Sequence, residues 1–190
     1  MTLSRHLLGS LIVAVSLMAA SPAFAEDPAD ALFREGIEAV NANKVPLAYE
    51  KFKAAWSLRQ SFDIAANLGV VEKALGKKRD AAEHFDYALR HFPASNMPQQ
   101  RAEMETELAS LKKELGELRI QSATGATIEV NGTAVGTCPL PAPIFVEPGQ
   151  QIIVAKKPDI GEGRITVIVA VGEGKDIRVE LSLSGGGGGG

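Results

Sequence analysis

The sequence predicts an α+β protein in which a helical half is followed by a strand half. Gly36, Ala48, Phe52 and Ala55 recur as Gly69, Ala81, Phe85 and Ala88, each 33 positions later. A period of that size marks stacked supersecondary units. After Leu118 the apolar spacing changes from three-or-four to two, as in Ile165, Val167, Val169 and Val171. That is the alternation of a half-buried strand. The turn-forming pairs Asn131-Gly132 and Pro148-Gly149 fall in the same second half and supply its hairpins.

The first 25 residues stand apart. Arg5 and His6 precede an apolar run, Leu7 to Ala20, which Ser21-Pro22-Ala23-Phe24-Ala25 closes. A basic start, a short apolar segment and a small-residue end make a secretory signal peptide with cleavage near Ala25. The run is shorter than the about 20 residues a membrane span needs, and no integral span is expected in the mature chain. Export to the periplasm or the cell surface follows. Without Arg5, 19 basic residues face 23 acidic ones, a net charge of −4. That balance gives no electrostatic case for nucleic acid. Cys138 is the sole cysteine, so no internal disulfide can form.

Asp27 then Pro28 open the first helix as cap and first-turn residue, and Leu32, Phe33, Ile37 and Val40 follow at helical spacing. The turn Asn41-Ala42-Asn43-Lys44 leads to a second helix carrying Ala48, Phe52, Ala55 and Trp56 on one face. Ser61 and Asp63 open a third, with Ile64, Leu68, Val71 and Leu75, closed by Gly76. The fourth bears Ala81, Phe85, Ala88 and Leu89 and ends at Pro93. Residues 98–117 predict a fifth helix, with Met104, Leu108, Leu111, Leu115 and Leu118 at spacings of four and three. It should cap the array, link the halves, and offer a short seam for weak self-association.

The strand half predicts five to seven short antiparallel strands in a small half-open sandwich. One strand ends at Val130, another holds Ile152-Ile153-Val154, and a third runs from Ile165. The last carries Ile177, Val179, Leu181 and Leu183 beyond Gly172-Glu173-Gly174. The tail Gly185–Gly190 has no side chains to pack and should be disordered.

The pattern Leu68-Gly69…Ala81…Phe85…Ala88…Pro93 resembles the tetratricopeptide repeat (TPR), and Gly36, Ala48, Phe52 and Ala55 match it in a first copy. Leu32 stands where that family commonly has Trp, and Gln60 where the closing Pro falls. From Leu118 on, Gly125-Ala126, Asn131-Gly132, Gly136-Thr137-Cys138-Pro139-Leu140 and Pro148-Gly149 resemble the PEGA domain, a β-module of bacterial surface proteins. The Pro of its eponymous motif is absent before Gly125. Between the signal peptide (1–25) and the glycine tail (185–190), the resemblances imply two TPR-like repeats (26–95), a capping or linker helix (96–117) and a PEGA-like β-domain (118–184).

No catalytic constellation appears. His84 and His91 lie seven apart, where helical metal ligands sit three or four apart, and read as surface histidines. Gly132–Thr137 has no Lys to reach a phosphate. Cys138 has no histidine in its own half. No metal, cofactor or enzymatic activity is expected. The TPR resemblance implies a concave groove lined by Phe33, Ile37, Val40 and Asn41 of one repeat and Ala66, Val70, Lys73 and Ala74 of the next. Its apolar positions suit a peptide or partner helix, hence a scaffold binding an envelope protein, with the β-domain as an envelope contact; the alternative is that the 98–117 helix folds back and fills this groove. A second reading is a spacer whose β-domain binds a surface protein or a glycan, and a third is a hydrolase. Phe145 is the one aromatic from residue 118 onward, which favours protein over sugar.

Overall fold

The protein is α+β: five helices precede two antiparallel-rich sheets. The structure, a computed structural model, describes residues 27–93 and 97–182. The expected signal peptide and glycine tail, and Leu183 of the last strand, lie outside them. The helices are α1 (Pro28–Asn41), α2 (Val45–Leu58), α3 (Phe62–Ala74), α4 (Lys78–Arg90) and α5 (Pro98–Lys112). The strands are β1 (Gly116–Gln121), β2 (Thr127–Val130), β3 (Thr133–Thr137), β4 (Ile144–Val146), β5 (Gly149–Lys157), β6 (Gly161–Val169) and β7 (Gly174–Arg178).

Asp27 caps α1 by accepting the Ala29 N–H at 2.9 Å. The chain turns into α2 through Asn43 at φ 57°, and leaves α3 through Gly76 at φ 73°. The repeated residues share one packing role. Gly36 faces the Phe52 ring, which would overlap any Cβ there, and a Cβ on Gly69 would stand 2.9 Å from the Phe85 ring. Each glycine therefore seats a phenylalanine of its hairpin partner, and Ala48, Ala55, Ala81 and Ala88 are wholly buried around them. Close packing of this kind leaves no room for an added methyl group.

The fifth helix ends at Lys112, five residues before the expected end, and Gly116 and Glu117 already belong to β1. The leucine rhythm runs on because Leu115 and Leu118 are also buried, one in the helical core and the other in the sheet core. Periodicity records burial, and here burial outlasts the helix.

The strands form a three-stranded sheet, β4-β1-β7, and a four-stranded sheet, β3-β2-β5-β6. Most neighbours are antiparallel, but β1 and β7 run parallel, from Glu117↔Gly174 to Gln121↔Arg178. The expectation of a wholly antiparallel sandwich is corrected at that pair. Hairpin turns impose antiparallel order on neighbours in sequence, whereas β7 reaches β1 only after the chain has built the other sheet. Asn131 (φ 51°) and Gly132 (φ 81°) make the two-residue β2–β3 turn. β7 stops at Arg178, and Ser182 bridges back to Glu162 on β6.

The two halves share apolar packing. Phe145 of β4 is 1% exposed and lies in the helical core with Phe85, Leu108, Leu111 and Leu115.

Candidate functional site

The first helices of the two hairpins and α5 fall at similar intervals, starting at residues 28, 62 and 98. α5 packs on α4 as α3 packs on α2, so it stands where the first helix of a third hairpin would stand. Between α3 and α5 lies a depression of ≈ 510 Å³, lined by Ala66, Asn67, Val70, Phe92, Met104 and Glu107 among others. Val70 is 54% exposed at its wall. Lys73 of α3 pairs with Glu107 of α5 across the helices. Phe62 and Phe92 meet edge to face, ring centroids 5.4 Å apart.

The eight residues expected to line a groove separate in the structure. Ala66 and Val70 line the depression, and Lys73 borders it through Glu107. On α1, Phe33 and Ile37 are half-buried and pack on the core of the first hairpin, with Phe33 5.6 Å from the Phe52 ring. Val40, Asn41 and Ala74 are exposed but do not line it. Asn67, Phe92, Met104 and Glu107 join the site without having been singled out for it. The signal that could have found the last two was the period itself, since Glu103, 33 positions after Val70, lines the same depression from α5.

His84 corrects the reading of two surface histidines. Its Nδ1 lies 2.7 Å from the Glu72 carboxylate, which is buried, and its ring meets Trp56 edge to face at 5.1 Å. The pair holds α3 to α4 inside the second hairpin. A buried carboxylate must be hydrogen-bonded to persist. Among the described residues no group of three or more His, Cys, Asp and Glu side chains could hold a metal ion. No helix among them is long and apolar enough to cross a membrane.

Exposed ion pairs set the electrostatics. The hydrogen bond from Arg59 lowers the Asp30 carboxyl below its ordinary range, and Lys78 does the same to Glu114, tying α4 to the end of α5. In the β half, Arg119 lowers Asp176 across the β1–β7 pair. Glu83 moves the other way. Desolvation beside the β half raises it, with Arg79 opposing, though about half of its side chain meets solvent and the effect is small. It borders a cleft of ≈ 570 Å³ between α4 and the β half. There the buried Gln151 accepts from Asn131 Nδ2 and donates to the Glu147 carbonyl, both at 2.7 Å.

Compared with known proteins, the chain matches no family model and no curated protein.

Proposed function

We propose that this is an exported, non-enzymatic binding scaffold in which a short tetratricopeptide-like array presents a groove to a protein of the cell envelope. The PEGA-like β-domain serves as its second, envelope-facing contact. The observation that carries the reading is the α3–α5 depression, apolar at Ala66, Val70 and Met104 and charged at Glu107. It is held by helices whose cores are filled by the paired glycines and phenylalanines. A rigid wall with exposed apolar positions suits an amphipathic helix or peptide laid along it. Because Phe145 is buried between the halves, the β-domain has no aromatic platform for a sugar, and protein is the favoured contact there.

The test is cross-linked capture from envelope extracts by the mature chain, beside a Val70→Glu variant whose melting temperature matches the parent. A discrete protein captured by the parent and lost in the variant is the expected result. Equal capture by both would remove the helical depression as the binding site.

A further inference from the structure

The β half carries a second opening that the helical groove does not explain. A cleft of ≈ 930 Å³ lies between the C-terminal part of β1, the segment after Cys138 and the end of β7. Its walls are apolar at Ile120, Leu140, Val179 and Leu181. β4 pairs with β1 only through Gly116↔Val146, Glu117↔Phe145 and Leu118↔Ile144. Beyond Leu118 the chain that would continue this ladder is Pro139-Leu140-Pro141-Ala142-Pro143. Three of its five residues have no N–H to offer. Among the described residues, no backbone hydrogen bond joins 139–143 to β1.

The consequence is a strand edge with no backbone partner at Ile120 among the described residues, although Ile120 as a whole is only 7% exposed. Glu117 directs its N–H to Glu173 beside β7, and Gln121 accepts there from Val179. Alternation along a strand therefore points the N–H and C=O of Ile120 to the opposite side, into the cleft. Arg178 and Glu180 both stand at the rim, and neither forms an ion pair among the described residues, whereas Arg119 is held by Asp176 and Glu117.

We infer that this cleft takes an extended peptide, added beside β1 by main-chain hydrogen bonds to Ile120, with an apolar side chain in the cleft and a carboxylate on Arg178. Strand addition of this kind draws affinity from the backbone and selectivity from alternate side-chain pockets, and a cleft this size falls in the range of ligand sites. Arg178 is the rim group that a peptide carboxylate can meet, with Glu180 beside it to disfavour a carboxylate elsewhere along the cleft. The site is distinct from the α3–α5 depression and does not depend on it.

The experiment titrates the full chain with a fluorescein-labelled peptide, Thr-Val-Thr-Leu-Asp, followed by anisotropy and by hydrogen exchange at the Ile120 amide. Control peptides replace the Val and Leu by Pro, or the Asp by Lys. Saturable binding is expected, together with slowed Ile120 exchange, at least tenfold weaker affinity in Arg178→Glu, and no binding of the proline peptide. Val70→Glu should bind normally; loss of binding in that variant would place the peptide in the helical depression and overturn the inference. Absence of binding, or affinity indifferent to Arg178→Glu and to proline, would also overturn it. Because Ile120 is itself only 7% exposed, the readout is the further slowing of its exchange on adding peptide, and binding with no such slowing would equally refute the inference.

Discussion

The helical and β halves both use glycine for room and for conformation, but they differ in how far along the chain the partners lie. In the helices a glycine makes room: Gly36 and Gly69 lie under Phe52 and Phe85, which would strike any side chain there. In the strands Gly116 and Gly163 make room against Val169 and the Glu180 carbonyl from far along the chain. Gly132 at the β2–β3 turn, like Gly76 after α3, makes a conformation, at φ 81° with nothing within 4 Å of a would-be Cβ. The long-range ties differ too. Each hairpin of the helical half closes on near neighbours, while β1 meets β7 across 57 residues, as in the Arg119–Asp176 ion pair. A stack of local units can leave one face unfilled and remain stable. A sandwich needs distant segments in place before its core exists.

Phe145 is where the comparison breaks, because a β residue completes the helical core. Phe145→Ala should therefore produce the largest effect, a loss of about 3–5 kcal/mol. Calorimetry should show one melting transition in the parent and two in the variant. A single transition that merely shifts would mean that the halves are coupled elsewhere.

The two kinds of glycine are separated by one pair of substitutions. Gly69→Asn should cost at least the about 1–3 kcal/mol of an overpacked core, because Phe85 must move. Gly132→Asn should cost much less, since asparagine tolerates the left-handed region and the space is open. Urea denaturation would compare them directly, and equal losses would contradict the division between room and conformation.

Buried polar pairs give the next smaller effect, one in each half. His84→Ala strips the hydrogen bond from buried Glu72, and Gln151→Ala strips Asn131 and the Glu147 carbonyl. About 1–3 kcal/mol is expected for each. Added to Phe145→Ala in double variants, neither should couple strongly if its effect stays within its own half.

Surface charge should give the smallest effect. The lowered carboxyls of Asp30, Glu114 and Asp176 contribute stability that is complete above the ordinary carboxylate range. It is lost below about pH 4, as pH falls through their lowered values. The raised Glu83 works with the opposite sign: its ionisation opposes the fold, and protonation as pH falls restores a little stability. Thermal melts from pH 7 to pH 3 should decline only at the acid end, and 1 M salt should flatten that decline. Glu83→Gln should remove the small opposing gain.

Much of the helical half was legible in the sequence because its information is local. The 33-residue period gave the hairpins, Asp27-Pro28 gave the start of α1, and Gly76 gave the end of α3. Asn131-Gly132 likewise announced its turn. The binding face was read less well. The groove positions on α1 came from counting along a repeat, and the structure turns Phe33 and Ile37 partly into the core. The helix at 98–117 was legible as a cap and as a segment able to fold back over the groove, and the structure sets it beside α3 with a depression left between them.

By itself, the sequence determined which residues are apolar at which spacing, and hence the helices, the strands and the order of the two halves. Tertiary structure alone decided what each buried face meets. It set β1 parallel to β7, placed Phe145 among helices, paired His84 with Glu72 and brought α5 beside Val70. Periodicity and turn chemistry act through a residue's near neighbours. The partner across a core is chosen by packing between segments far apart in the chain, which no local pattern encodes.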